Sequence, residues 1–190
     1  MLMETLAKKL YLLGAIESDE IELVSYGLEH LILNVFSIFL VWFIGFIFDK
    51  PLDALIMWLA IFPLRKNAGG FHAETRIKCF LISFGIIYLV FFLLCKTHYP
   101  DNQLWMLGIA SWIVIYAIAP VECENKRLDN LEKKEYQKRT RIILLIEAAI
   151  LGVCYILNGN VFVNSVLMCW EIVAITLLAG KFKLSMWKKH

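Results

Sequence analysis

The sequence predicts an all-α, polytopic membrane protein with six transmembrane helices and both termini in the cytosol, and three observations carry that expectation. Apolar residues make up 60% of its 190 positions and the mean hydropathy is +0.68, where an average globular domain is close to half apolar. The charged residues avoid six stretches, 31–48, 52–64, 79–95, 104–119, 142–157 and 161–180, and the only Asp, Glu, Lys or Arg inside them are Asp53, Glu147 and Glu171. With the intervening segments assigned to alternate sides, 17 of the 19 Lys and Arg residues fall in 1–30, 65–78, 120–141 and 181–190, leaving Lys50 and Lys96 opposite. That asymmetry is the positive-inside pattern expected of six crossings.

In 1–13, Leu2, Leu6, Leu10 and Leu13 share one helical face while Glu4, Thr5, Lys8 and Lys9 share another, the pattern of an amphipathic helix lying in the membrane interface. After Gly14, Ser18 is the expected N-cap of a second helix, with Asp19 and Glu20 in its first turn, and this helix runs into the first crossing. The span 52–64 is the shortest. Its thirteen residues rise only ~20 Å through a hydrocarbon core of ~30 Å, and it contains Asp53 and Pro63. It is expected to be a locally sunken crossing or to pack inside the bundle, and in both cases it delivers the chain to the cytosolic boundary at Arg65. Segment 122–141, with seven basic and five acidic residues, reads as a solvated helical hairpin, the alternative being a site for anionic lipid or an acidic precursor tail. No internal repeat or Pro/Gly-rich linker divides the chain, so 1–190 is expected to be a single integral membrane domain.

The composition also excludes function classes. The net charge is only +2 and the basic residues are sorted by side rather than clustered on one face, so no nucleic-acid partner is expected. Five cysteines, Cys79, Cys95, Cys123, Cys154 and Cys169, form no CxxC pair and are odd in number, which suggests neither a zinc site nor a disulfide framework. His72-Ala-Glu74 is not followed by the second histidine of an HExxH site, and no Gly-rich phosphate loop or Asp-rich motif is present, so neither metal nor cofactor is expected. No basic head, apolar core and small-residue cleavage site marks a removable signal peptide in the first thirty residues.

The chemistry concentrates between the second and third spans, in Arg65-Lys-Asn-Ala-Gly69-Gly70-Phe71-His72-Ala-Glu-Thr-Arg-Ile-Lys-Cys79. Cysteine attacks as its thiolate, and a neighbouring imidazole that accepts the proton supplies that thiolate near neutral pH. His72 and Cys79 are therefore a candidate peptidase dyad. On one straight helix their Cα atoms would lie ~10.5 Å apart along the axis. The helix is accordingly expected to begin after His72, with Gly69 and Gly70 letting the preceding chain fold back over the cysteine. On the residues alone, a small apolar Cys79 at the end of a span and an interfacial His72 remain the alternative.

The element Arg65-x4-Gly70-x-His72-Ala73-x5-Cys79, at the cytosolic end of a short second span, resembles the accessory gene regulator B family of membrane cysteine endopeptidases that process quorum-sensing peptide precursors. The likeness extends to Tyr26-Gly27-Leu28-Glu29 and to Ala119-Pro120-Val-Glu-Cys-Glu-Asn125-Lys126, with Arg127 standing where the pattern has Pro. The resemblance implies removal of the C-terminal part of a small precursor of the accessory gene regulator D type and closure of the remainder into a thiolactone or lactone, in the cell membrane of a Gram-positive bacterium. It makes Cys79 the nucleophile and His72 the general base and later acid. Arg65, Gly69, Gly70, Pro120, Asn125 and Lys126 become supporting or substrate-binding positions.

Arg65 suits a bidentate pair with an acidic part of the precursor or, alternatively, a positive-inside anchor. Glu29 is a candidate third group orienting His72. Besides the peptide, the expected partners are the lipid bilayer and, as a candidate, a second copy of the chain. Glu147 and Glu171 read as packed structural groups, because ionisable residues inside spans face the protein interior. The competing function is a small transporter using Glu147, Glu171 and Asp53 in its path. A transporter concentrates such groups at the midplane, whereas Arg65, Gly69, Gly70, His72 and Cys79 crowd one boundary.

Overall fold

In a computed structural model the protein is all-helical, and the structure describes residues 2–71, 76–96, 101–122, 128–157 and 159–187. The helices are α1 (Leu2–Leu12), α2 (Ile21–Ile47), α3 (Pro51–Ala68), α4 (Arg76–Lys96), α5 (Asp101–Ile118), α6 (Asn130–Ile156) and α7 (Asn160–Trp187). They form two compact units divided after Leu40.

In the first unit, α1 carries an ion pair from Lys8 Nζ to Glu4 Oε1 at 2.8 Å. The hydrogen bond and charge of Lys8 hold the Glu4 carboxyl below its usual range. Leu12 and Leu13 are exposed and Ala7 is buried. A 3-10 turn, Ser18–Glu20, leads into α2. Its capping role falls to Glu17 rather than to Ser18, because Glu20 Oε2 accepts the Glu17 backbone N–H at 3.0 Å, the reciprocal half of a capping box.

In the second unit α7 packs against α3, α5 and α6. Its residues from Val163 to Leu177 are buried almost all round, the property of a central helix. Helix α3 meets it with a stripe of small and medium side chains, Ala54, Met57, Ala60, Leu64 and Ala68, spaced to share one helical face. The α2–α3 corner closes tightly, since a Cβ on Gly45 would lie 2.5 Å from that of Ala54. Phe48 stacks on Phe91 of α4 at 6.1 Å between ring centroids and meets Tyr88 edge-on.

Two helices differ from their apolar stretches. Helix α3 has 18 residues, ~27 Å at 1.5 Å each, where the apolar stretch 52–64 has thirteen. It continues through Arg65, Lys66 and Ala68 because these are good helix formers whatever their polarity. Likewise 130–141 is not half of a hairpin: α6 is one helix of 27 residues, its charged first turns continuous with its apolar remainder. Two segments, Ser18–Ile47 and Val161–Met186, are each long and apolar enough to cross a bilayer, while Leu81–Phe92 and Asn102–Ile118 are shorter apolar helices.

Polar groups inside the bundle are placed between helices. Trp170 Nε1 donates to Glu147 Oε2 at 2.7 Å, joining α7 to α6. Ser165 Oγ donates to Asp53 Oδ1 at 3.4 Å, joining α7 to α3. Leaving a buried acceptor unpaired costs about 1–3 kcal/mol. Trp170→Phe should therefore lower the thermal unfolding midpoint of the detergent-solubilised protein, and Glu147→Gln, which keeps an acceptor oxygen for the indole, should lower it less.

Candidate functional site

The site begins where α3 ends. Gly69, at φ +71°, terminates the helix, and Gly70, at φ +121°, continues in a conformation that L side chains rarely adopt. Gly69 is also required sterically, and a side chain at 70 would displace the Arg65 guanidinium. A Cβ on Gly69 would collide with the Val121 carbonyl oxygen, and one on Gly70 would lie 2.5 Å from Arg65 Nη1.

Three neighbours fix the backbone of this turn. From α3, Arg65 Nη1 donates to the Gly69 carbonyl at 3.1 Å and Nη2 to the Phe71 carbonyl at 3.3 Å. After α5, Val121 N donates to the Ala68 carbonyl at 2.9 Å and its own carbonyl accepts the Gly70 N–H at 3.4 Å, an isolated parallel bridge between 69 and 121. From α7, the Thr176 carbonyl accepts the Phe71 N–H at 2.9 Å. The guanidinium is planar and forked, so a single side chain spans two carbonyls just beyond the end of the helix. Arg65 thus acts on the chain's own backbone, a use different from either of those read from the sequence.

Several expected site residues meet here and others do not. Arg65, Gly69 and Gly70 form the turn. Pro120, after a cis peptide bond from Ala119, is buried next to Val121. It lines a cleft of about 400 Å³ shared with Asn130, Lys133, Lys134 and Gln137 of α6, and Lys133 Nζ pairs with Glu122 at 3.2 Å. His72, Asn125 and Lys126 lie outside the described residues. Cys79 is in the first described turn of α4, its side chain outside what is described. Glu29 is half-buried on α2 in the first unit.

Sequence reasoning missed Thr176 and Gly180 of α7. A Cβ on Gly180 would meet the Gly70 carbonyl carbon at 2.6 Å and Phe71 N at 2.7 Å, and Lys183 Nζ stands 5.5 Å over the Phe71 ring. A glycine near the end of an apolar span was the only signal.

The sequence matches a known family. A model described as accessory gene regulator B matches residues 2–178. The chain belongs to that family. Its members are membrane proteins involved in processing autoinducing peptide precursors. Among relatives, an AgrB-like protein of Clostridium perfringens strain SM101 is 27% identical over 182 residues, covering 86% of this chain and 85% of the relative. A second AgrB-like protein, from C. perfringens strain 13, is 27% identical over 136 residues, 68% of this chain and 64% of its own. One from Listeria monocytogenes strain HCC23 is 30% identical over 122 residues, 63% of this chain and 59% of its own. No solved structure matches.

The carboxylates of the competing reading are placed differently from the turn. Asp53 and Glu147 each accept a hydrogen bond from α7. Glu147 lines a groove of about 320 Å³ whose other walls, including Ile56, Leu59, Ile143 and Phe162, are apolar. Among the described residues no cluster of His, Cys, Asp and Glu is arranged to hold a metal.

Lysine carries a single ammonium and cannot reproduce the guanidinium fork. In Arg65→Lys, amide hydrogen exchange at Gly70 and Phe71 should therefore quicken while the α3 interior stays protected, measured by mass spectrometry on the detergent-solubilised protein. Unchanged exchange in the turn would show that the fork does not hold it.

Proposed function

We propose that the protein is a membrane-embedded cysteine endopeptidase. It cleaves off the C-terminal part of a small autoinducing-peptide precursor and passes the remainder, as a thioester, to an internal thiol or hydroxyl of the same peptide. The observation that carries this reading is the turn at 69–71, fixed by Arg65, Val121 and Thr176 and followed directly by His72. A general base must be held to within a fraction of an ångström, and a rigid approach to it supplies that. Family membership supports the substrate class.

His72 takes the proton of Cys79 Sγ, and the sulfur attacks the scissile carbonyl. As the carbon–nitrogen bond breaks, His72 returns the proton to the departing amine, and the N-terminal part of the precursor is left as a thioester on Cys79. A Cys or Ser of the bound peptide then loses its proton to His72 and attacks the thioester, closing the ring, and Cys79 leaves as thiolate to recover the proton. Water at ~55 M competes with this step unless the internal nucleophile is oriented, where effective molarities reach ~10⁵ M or more, and unless the site excludes bulk water. Exchange of one thioester for another is reversible, so release of the C-terminal fragment or export of the ring draws it forward.

The whole of 1–190 serves as one peptidase domain with six crossings, both termini in the cytosol and the dyad at the cytosolic boundary. The distribution of basic residues supports this topology, as does the exposed leucine edge of α1. Asn125 and Lys126 follow Val121 closely in the chain and contact the precursor. The partners are the precursor, the bilayer and a second copy of the chain.

Cys79→Ala and His72→Ala should each abolish precursor cleavage at unchanged protein level in the membrane. Replacing Cys95, Cys123, Cys154 and Cys169 together by Ala should leave it measurable by mass spectrometry of the products. Full cleavage by Cys79→Ala would end the cysteine-peptidase reading.

The topology has its own test in a cysteine-free background. Single cysteines at the exposed positions 66, 131 and 181 should resist an impermeant thiol reagent in intact cells, and one at exposed position 102 should react. Labelling of position 66 from outside would overturn the cytosolic assignment.

A further inference from the structure

The far end of the chain meets the turn before His72 in a way that the reaction described above does not use. Helix α7 contributes three contacts to residues 70 and 71. The Thr176 carbonyl accepts the Phe71 N–H at 2.9 Å. One helical turn on, at the same face, Gly180 leaves the space into which the Gly70–Phe71 peptide fits. A further residue of the same stretch, Lys183, stands over the Phe71 ring at 5.5 Å, within cation–π range. The hydroxyl of Thr176 is engaged elsewhere, donating to the Val173 carbonyl at 2.9 Å, so the anchor is the carbonyl, which has a second lone pair beyond the one its own helix uses.

Gly180 is the part of this contact that sequence can change. The three atoms nearest to a Cβ built there are all backbone: the Gly70 carbonyl carbon at 2.6 Å, Phe71 N at 2.7 Å and Gly70 Cα at 3.1 Å. No side chain can rotate aside to make room. Either α7 retreats or the turn moves, and the turn is already held on its other sides by the Arg65 fork and by Val121.

We propose that Gly180 is a positioning residue for the general base: the notch it leaves in α7 seats the Gly70–Phe71 peptide and so sets where the chain enters His72. The inference rests on the reading of His72 and Cys79 as the dyad. Gly180 touches no reacting atom and acts through the backbone. It lies just beyond the matched residues 2–178. A misplacement of ~1 Å can cost a reaction about a hundredfold, and a methyl group at 180 forces a shift of that order.

The test uses the full-length protein in membranes with Cys79 as its sole thiol, the other four cysteines being Ala. The rate of alkylation of Cys79 by neutral iodoacetamide is followed against pH, beside precursor cleavage. A thiol served by His72 reacts at lower pH than an unassisted one, and His72→Ala should move the profile to that of an ordinary thiol. Gly180→Ala should move it in the same direction and lower kcat for cleavage by about ten- to a hundredfold with little change in KM. Gly108→Ala is the comparator. Its Cβ would press on Leu167 of the same α7, 2.5 Å from Cδ2, away from the turn, so it should leave the pH profile unchanged even where it lowers stability.

Should Gly180→Ala fail to accumulate, Lys183→Ala decides, because that residue is only half-buried and its loss does not crowd the fold. Its expected effect is the same shift in weaker form, with cleavage reduced about two- to fivefold. A wild-type pH profile in Gly180→Ala, or in Lys183→Ala where the first variant is absent, overturns the inference. So does a Gly108→Ala profile shifted as far as that of Gly180→Ala. If His72→Ala itself leaves the profile unmoved, the dyad reading falls, and this inference with it.

Discussion

The constraint on which the rest depends is the need to satisfy backbone polar groups where α3 ends against the bundle. Four carbonyls at a helix C-terminus have no donors within the helix, and in a dry setting each unpaired group is costly. At the end of α3 the Arg65 carbonyl accepts the Gly69 N–H and the Ala68 carbonyl accepts the Val121 N–H; just beyond the helix the Arg65 fork serves the Gly69 and Phe71 carbonyls and the Thr176 carbonyl accepts the Phe71 N–H. These contacts come from α3, from the segment after α5 and from α7. Closing the turn and assembling that end of the second unit are therefore one event. The two glycines serve the same demand, since a Cβ at 69 would strike the Val121 carbonyl and one at 70 would displace the Arg65 fork.

Helix α7 has a second duty along its length. It is the buried axis of the second unit and carries the donors for polar groups on two neighbours, Trp170 for Glu147 on α6 and Ser165 for Asp53 on α3. Among apolar surfaces van der Waals packing alone leaves rotation and sliding weakly determined, whereas a directed hydrogen bond fixes both. A register fixed along α7 is also what delivers Thr176 and Gly180 to the turn at the correct height. The carboxylates inside the apolar spans thus contribute to placing the turn without lying in it.

For the peptidase proposed above, rigidity on one side of the dyad would be a chemical requirement. A thioester is reactive enough toward both water and an internal nucleophile, so the outcome between hydrolysis and ring closure is decided by orientation and access rather than by reactivity. A base approached by a backbone with few free torsions favours orientation. A cleft beside Pro120, walled by Lys133 and Lys134, adds positive charge on the neighbouring segment.

What the sequence by itself determined was everything that depends on composition, period or short spacing. The apolar stretches and the charge asymmetry gave the helical class and the crossing pattern expected of it. The cluster Arg65, Gly69, Gly70, His72 and Cys79 marked a candidate site, of which Arg65, Gly69 and Gly70 meet in the turn, and its likeness to accessory gene regulator B proteins gave the family. Hydropathy marked apolar stretches, not helix ends: α3 and α6 run on into charged residues because the helical hydrogen-bond ladder follows propensity, not polarity. Only the tertiary structure decided what Arg65 binds, that α7 supplies the third wall of the turn, and that Thr176 and Gly180 belong to it. The physical reason is that these are contacts made by backbone atoms, or by the absence of a side chain, between segments remote in the chain. A carbonyl looks the same at every position of a sequence, and a glycine announces neither which helix will press against it nor at what height.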